Sequence, residues 1–230
     1  MMKEKLLRWV RENPHCLVLL YFIPYLIWFF SLEFLVEPKY WIYSPLDDLI
    51  PFCEYFIIPY GLWFPYFLGA LGFFIRKDKE IFLRLCFIMF TGMTVCLLIY
   101  TLMPNGINLR QEITGDNLFC KIALLMRSVD TPTNVCPSIH VSSTLAVDWA
   151  VQHYQGFKRP KLVRGLSLLL AFSICLSTVF LKQHSVIDVF YGILLTAGLV
   201  AVVRVHDMRG RIVHNTSRGY LNHRASCDKL

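Results

Sequence analysis

The chain has 230 residues, 56% of them hydrophobic and 17% charged, with a formal net charge of +7 and a mean hydropathy of +0.50. A soluble domain carries about 25% charged and about 45–50% apolar residues, so the apolar excess belongs to a surface that does not face water. This balance excludes a soluble enzyme, a disordered tail, a secreted disulfide scaffold and a nucleic-acid-binding domain. The basic residues then report membrane orientation before they report any partner.

In chain order, a basic start with Lys3, Lys5, Arg8 and Arg11 precedes a first apolar run over 17–34. That run ends in Ser31-Leu32-Glu33, without a small-x-small cleavage pattern, and is read as a retained helix. The second run, 55–75, is rich in aromatic residues that suit lipid packing and interfacial anchoring. The third covers 85–103, and Pro104-Asn105-Gly106 then opens a long loop. Residues 137–151 are amphipathic, carrying His140, Ser142, Ser143, Thr144 and Asp148. Such a polar face is tolerated in a membrane only inside a bundle, so this segment is read as a fourth helix shielded by its neighbours. Runs over 163–181 and 185–203 supply the fifth and sixth. The expectation is an all-α polytopic membrane protein, a six-transmembrane-helix bundle over 1–204, followed by a loosely ordered basic cytoplasmic tail over 205–230 that lies against anionic lipid.

Lysine and arginine placement tests the count of six. Eighteen of the 23 fall at the N-terminus, in 76–84, in 158–164 and in the tail. Lys39, Arg110, Lys121, Arg127 and Lys182 fall on the other side. Positive charge concentrates in the cytoplasm, which makes both termini cytoplasmic. The eight cysteines show no C-x-x-C and no metal-like spacing with histidine. Cys53, Cys120 and Cys136 lie toward the outer face, where one disulfide is possible and Cys120–Cys136 is one pairing.

The residues with chemistry collect at one depth. Arg110 follows the turn at 104–106, Pro137-Ser138-Ile139-His140 opens the fourth helix with proline near its first position, and His184 begins the sixth with Asp188 at i+4. One arginine, two histidines and a carboxylate thus converge near the outer interface from three segments. An i, i+4 spacing puts Asp188 on the same helical face as His184. The carboxylate can accept the Nδ1 proton and leave Nε2 free to attack phosphorus, while His140 serves as general acid. Ser138 and the free amides of a helix start suit an anion, and Arg110 offers a fork of donors for phosphate oxygens. Asp148 lies about 12 Å deeper along its helix and is expected to pair with a polar neighbour, and Glu33 and Glu54 rim the outer ends of the first two helices.

The sequence Cys136-Pro137-Ser138-Ile139-His140 is similar to the P-S-x-H motif of the type 2 phosphatidic acid phosphatase superfamily. Residues 177–188, Ser-Thr-Val-Phe-Leu-Lys-Gln-His-Ser-Val-Ile-Asp, resemble its S-R-x5-H-x3-D motif, and the resemblance extends over a core of about 101–198. It implies a histidine nucleophile at 184 oriented by Asp188, His140 as acid, a phosphohistidine intermediate, lipid phosphate or diphosphate substrates, and no metal or cofactor. Two departures stand out. Thr178 replaces the third motif's arginine, with Lys182 the nearest cation, and of K-x6-R-P only Arg110 remains, Met103 and Gln111 occupying the other positions. Such losses resemble the divergent branch that includes inositol phosphorylceramide synthases.

The expected activity is therefore a lipid phosphatase at the outer face of the cell membrane. His184, His140 and Asp188 would be catalytic, and Arg110, Ser138, Lys182 and Thr178 would contact phosphate. A lipid head-group phosphotransferase is the alternative, and a transporter or a bis-histidine haem protein are remote ones. The partners expected are the lipid phosphate and membrane lipids, with no nucleic acid. The acceptor, water or alcohol, stays open, as does the oligomeric state.

Overall fold

The computed structural model describes the backbone of residues 2–227 and the side chains of Glu4 and of residues 8–208. Its elements are helical apart from two two-residue strands. Helix α1 (Met2–Glu12) is followed by a 3-10 stretch, Pro14–Tyr21, that runs into α2 (Phe22–Leu35). Strand β1 (Tyr40–Trp41), the short helix α3 (Pro45–Leu49) and a 3-10 turn, Glu54–Phe56, lead to α4 (Ile57–Lys77) and α5 (Lys79–Leu102). Strand β2 (Asn105–Gly106), α6 (Leu118–Val129), α7 (Ile139–His153), α8 (Pro160–Phe180) and α9 (Val186–Cys227) complete the order.

Five stretches are long and apolar enough to cross a membrane: Pro14–Leu35, Glu54–Lys77, Lys79–Leu102, Pro160–Phe180 and Val186–Met208. They match the five strongly apolar runs of the sequence to within a few residues. Their large side chains face outward as well as inward; Ile27, Leu169, Phe172 and Phe190 are each at least 60% exposed. Apolar surface on that scale needs an apolar solvent. Local signals set the boundaries. Asp78 separates α4 from α5, its N–H closing on the Phe74 carbonyl at 2.9 Å and its side chain accepting from Ile81 N at 2.9 Å. Pro160 opens α8 at a position where a missing N–H is harmless.

Helix α7 is the centre of the bundle, packed by α4, α5 and α8. Fifteen residues reach about 22 Å, short of a hydrocarbon core of about 30 Å, and α7 is not among the five candidate spans. Burial by protein frees it from the apolar composition that a lipid-facing helix needs. Its small residues Ser142, Ser143, Ala146 and Ala150 are buried and let neighbouring helices approach. Its polar groups find partners inside: Trp63 Nε1 donates to Ser143 Oγ at 2.9 Å and Thr196 Oγ1 to the Ser142 carbonyl at 3.2 Å. Asp148 accepts from Ser167 Oγ at 2.6 Å and Gln152 Nε2 at 3.1 Å, the polar pairing expected of it.

Several expectations are corrected. Pro137 lies outside α7, because Ser138 is the N-cap, its Oγ accepting from Val141 N at 3.3 Å; the Cys136–Pro137 peptide is cis. The long loop after α5 contains α6, started by Asn117, whose side chain accepts from Cys120 N at 2.9 Å. The seven described cysteines, Cys120 and Cys136 among them, are free. Two compact units divide the chain, Met1–Thr196 and Ala197–Leu230. The helical assignment of α9 ends at Cys227, and the side chains of the basic tail, for which a loosely ordered extension was expected, lie outside the described residues.

Gly192 sets how closely α9 approaches α7. A methyl group there would sit 3.0 Å from the Ser138 carbonyl oxygen and 3.1 Å from Val141 Cβ, whereas at Gly165 in α8 it would meet no heavy atom within 4 Å. Gly165→Ala should therefore gain the usual helix increment of about 0.5–1 kcal/mol. Gly192→Ala should lose about 1–3 kcal/mol through overpacking. Thermal unfolding in detergent compares the two; equal shifts of the same sign would contradict the close approach.

Candidate active site

The segment between α8 and α9 carries His184, and the end of α8 delivers it. Leu181 caps the helix and Lys182 follows in the left-handed region at φ 56°. Lys182 N donates to the Val179 carbonyl at 3.1 Å and Gln183 N to the Thr178 carbonyl at 2.9 Å, the paired bonds of a Schellman ending. His184 N also donates to the Thr178 carbonyl, at 3.0 Å. Left-handed backbone at a lysine is uncommon and costs about 1–2 kcal/mol. Here the ammonium compensates by reaching the Asp47 carbonyl at 2.5 Å, and Lys182 is buried.

The start of α9 fixes the imidazole. Ser185 is its N-cap in effect: Ser185 Oγ accepts from Ile187 N at 3.2 Å, and Ser185 N donates to Asp188 Oδ2 at 2.8 Å. This is half of a capping box, with Asp188 as the third helical residue reaching back. The same oxygen lies 3.3 Å from His184 Nδ1. An ionised carboxylate only accepts, so the proton belongs on Nδ1 and Nε2 carries the free lone pair. His184 therefore sits before the helix rather than on its face; the two residues meet through cap geometry instead of helical i+4 stacking. Asp188 is fully buried and its Oδ1 has no hydrogen-bond partner. Cys136 lies close to that carboxylate; burial first, then the charge of Asp188, pushes its thiol up to about 12, so it stays neutral.

The second histidine comes from the first turn of α7. The His140 ring centroid is 5.7 Å from that of His184, the planes crossing at 63°. Tyr60 and Trp63 of α4 pack on it at 4.8 and 4.3 Å. Ser138, just before it, is fully buried, and its N–H donates to the Asp188 backbone carbonyl at 3.1 Å. Both histidines are thus fastened to the same turn of α9. Asn105 holds the strand leading into α7, its Oδ1 accepting from Val135 N at 3.0 Å and Cys136 N at 2.9 Å. Tyr100 OH donates to the Pro137 carbonyl at 2.5 Å.

Arg110 reaches the histidine segment from the long loop. Its Nη2 donates to the Asp130 carbonyl at 2.6 Å and to Gln183 Oε1, and its Nη1 to the Arg127 carbonyl at 3.3 Å. Burial lowers the guanidinium from its ordinary value, with the Asp130 charge acting the other way; it remains a cation.

Of the residues singled out in the sequence, His140, His184 and Asp188 come together, with Ser138 at the same turn and Arg110 one residue removed through Gln183. Lys182 and Thr178 are engaged elsewhere: the Lys182 ammonium at Asp47, and the buried Thr178 hydroxyl at the Cys175 carbonyl, 2.8 Å away. Glu33 braces the loop before α7 by accepting from Thr131 and from Asn134 Nδ2, and Glu54 accepts from Asn117 Nδ2 at 3.0 Å.

Asp47 is the residue that sequence reasoning missed. It is buried in α3, its Oδ2 accepting from Ser44 N at 2.8 Å and Ser185 Oγ at 2.6 Å, its Oδ1 from Val186 N at 2.8 Å. Ser44-Pro45-Leu46-Asp47 reads as a capping box with proline at the first position, a local signal for α3. Its hold on Ser185, 138 residues away, has no local signature. Among the described residues, no group of three or more His, Cys, Asp or Glu is placed to hold a metal ion. Comparison of the chain with protein-family models, curated proteins and solved structures returns no match.

Asp47→Asn tests this tie. An amide offers one acceptor oxygen where two are used, and its NH2 would face Val186 N–H. The expected loss is about 1–3 kcal/mol for the unsatisfied buried donor, seen as a lower midpoint in thermal unfolding. A wild-type midpoint would show that the contacts are dispensable.

Proposed function

We propose that the chain is a multi-pass membrane enzyme that removes the phosphoryl group of a lipid phosphate or diphosphate through a phosphohistidine on His184. The observation that carries this is the Asp188–His184 pair with a second histidine ring 5.7 Å away on a separate helix. Nδ1 is committed to a carboxylate, which leaves one nucleophilic nitrogen, and the second imidazole is independent of the first.

In the first step the Nε2 lone pair of His184 forms a bond to phosphorus while the P–O bond to the lipid breaks. Protonated His140 gives its proton to the departing oxygen. Asp188 stabilises the imidazolium that His184 becomes, and the charge of Arg110 together with the amides of α7's first turn balances the phosphoryl oxygens. In the second step neutral His140 takes a proton from water as the water oxygen attacks phosphorus. The P–N bond breaks, phosphate leaves, and both histidines return to their starting states. An amphiphilic substrate keeps its tail in the bilayer and brings its phosphate to the helix ends.

On this reading α7 is a sixth crossing, both termini are cytoplasmic, and the site faces the outer side. Support comes from helix direction: Arg76, Lys77, Lys79 and Arg84 cluster at the α4–α5 turn, and Lys158, Arg159, Lys161 and Arg164 between α7 and α8. Those turns are at the opposite ends of α4, α5, α7 and α8 from the histidines. A second reading, transfer of a phosphorylated head group to an alcohol, uses the same histidines and differs only in what attacks the phosphohistidine.

Purified protein with a panel of lipid phosphates and diphosphates, chelator present, should release phosphate, and His184→Ala should lower the rate by at least about 10³-fold. His140→Ala should lose about 10²–10⁴-fold, and less with a p-nitrophenyl leaving group, which departs without protonation. Undiminished release by His184→Ala would refute the mechanism. A new phospholipid formed on adding an alcohol, without phosphate release, would establish the transferase.

A further inference from the structure

The residue before the proposed nucleophile has an unmet requirement. Gln183 is buried at 2% exposure, its Oε1 accepts from Arg110, and its Nε2 has no hydrogen-bond partner. Arg110 Nε is likewise buried without a partner. Buried polar groups in folded proteins are almost always paired, and leaving one unpaired costs as much as a lost hydrogen bond or more. Two orphaned donors joined through one hydrogen bond call for a shared acceptor with several oxygens.

Charge points the same way. The hydrogen-bond partners of Arg110 are two backbone carbonyls and the Gln183 amide, all neutral. Among the described residues no carboxylate forms an ion pair with it. Asp130 is near enough to act on the guanidinium, yet it offers Arg110 its backbone carbonyl while its carboxylate accepts from Tyr60 OH. The carboxylates of Asp130 and Glu33 act on this half-buried cation without hydrogen-bonding to it, so its charge is open to a directly bonded anion. The single hydroxyl proton of Thr178 is spent on the Cys175 carbonyl, and the Lys182 ammonium is directed to the Asp47 carbonyl.

We infer that Gln183 is a phosphate-binding residue, its Nε2 donating to a phosphoryl oxygen beside the guanidinium of Arg110, so that an arginine–glutamine pair grips the anion next to His184. The inference rests on the phosphoryl-transfer reading and deepens it. Gln183 would also hold the Arg110 fork in register, and the donor role must be separated from that holding role.

The test measures binding of inorganic phosphate by calorimetry to detergent-solubilised full-length protein. Gln183→Met, close to glutamine in length and shape, is made in the wild-type and in the Arg110→Lys background, which keeps the charge and loses the fork. Thermal unfolding without ligand checks that each variant folds. Loss of about tenfold in affinity from Gln183→Met in both backgrounds is expected. A loss that disappears in the Arg110→Lys background would show that Gln183 only orients the fork and would overturn the inference. Unchanged affinity in Gln183→Met, or no phosphate binding by wild type, would also overturn it. The same measurement on His184→Ala should retain binding. Phosphate release from lipid substrates that survives His184→Ala would refute the phosphohistidine reading alone, and the affinities would still judge Gln183.

Discussion

The first turn of α9 presents backbone N–H groups that no carbonyl of its own helix can accept, and Ser185 at its start is fully buried. Asp188 and Asp47 meet that demand from opposite directions. Asp188 reaches back from within the helix to Ser185 N, and Asp47 reaches across from α3 to Val186 N and to the Ser185 hydroxyl. Negative charge is favoured at a helix N-terminus by the helix dipole, so two carboxylates can be buried here without two cations beside them. The local fold follows from this arrangement. His184 is the residue immediately before the cap, and Asp188 has no freedom to serve the backbone without also facing Nδ1.

The second histidine is bound to the same point by a different route. Ser138 is at once the N-cap of α7 and a donor to the Asp188 carbonyl, so the start of α7 is registered against the start of α9. That registration needs the two backbones close together, which the missing side chain of Gly192 permits. A helix as polar as α7 is stable at the centre of a bundle because its serines and Asp148 find partners on α4, α8 and α9. It is the burial of α7 by its neighbours, rather than its own hydropathy, that makes this a tight assembly.

Hydropathy made the five apolar helices legible, because each is a long uniform signal that needs no tertiary context. The amphipathic character of 137–151 was legible for the same reason, and so was the pairing demand of Asp148. The pairing of His184 with Asp188 was readable as a spacing, though its physical basis was not. A contact along a helix face and a contact between the residue before the N-cap and the third helical residue both span four positions, and only the structure shows that His184 lies outside α9. Helix α6 escaped because twelve residues between polar loops carry neither the length of a span nor a strong stop signal. Asp47 escaped because its partners are Ser185 and Val186, and nothing near position 47 encodes a helix that begins at position 186.

Position 178, where the resemblance would place an arginine, is enclosed by the fold. Thr178 is fully buried, its carbonyl takes both Gln183 N and His184 N, and its hydroxyl turns back to Cys175. A guanidinium at that position would begin from an enclosed Cβ, among groups already satisfied. Lys182 has likewise been drawn into the fold, spending its charge on the carbonyl of Asp47 in a backbone conformation that disfavours it. Both positions therefore brace the histidine segment from beneath, and positive charge reaches it from the other side through Arg110. The long loop that carries Arg110 is itself held by Glu33, Asn105 and Arg127. Under the proposed chemistry, the cation for phosphate comes from that loop, and the precision of its placement must come from the loop's hydrogen bonds.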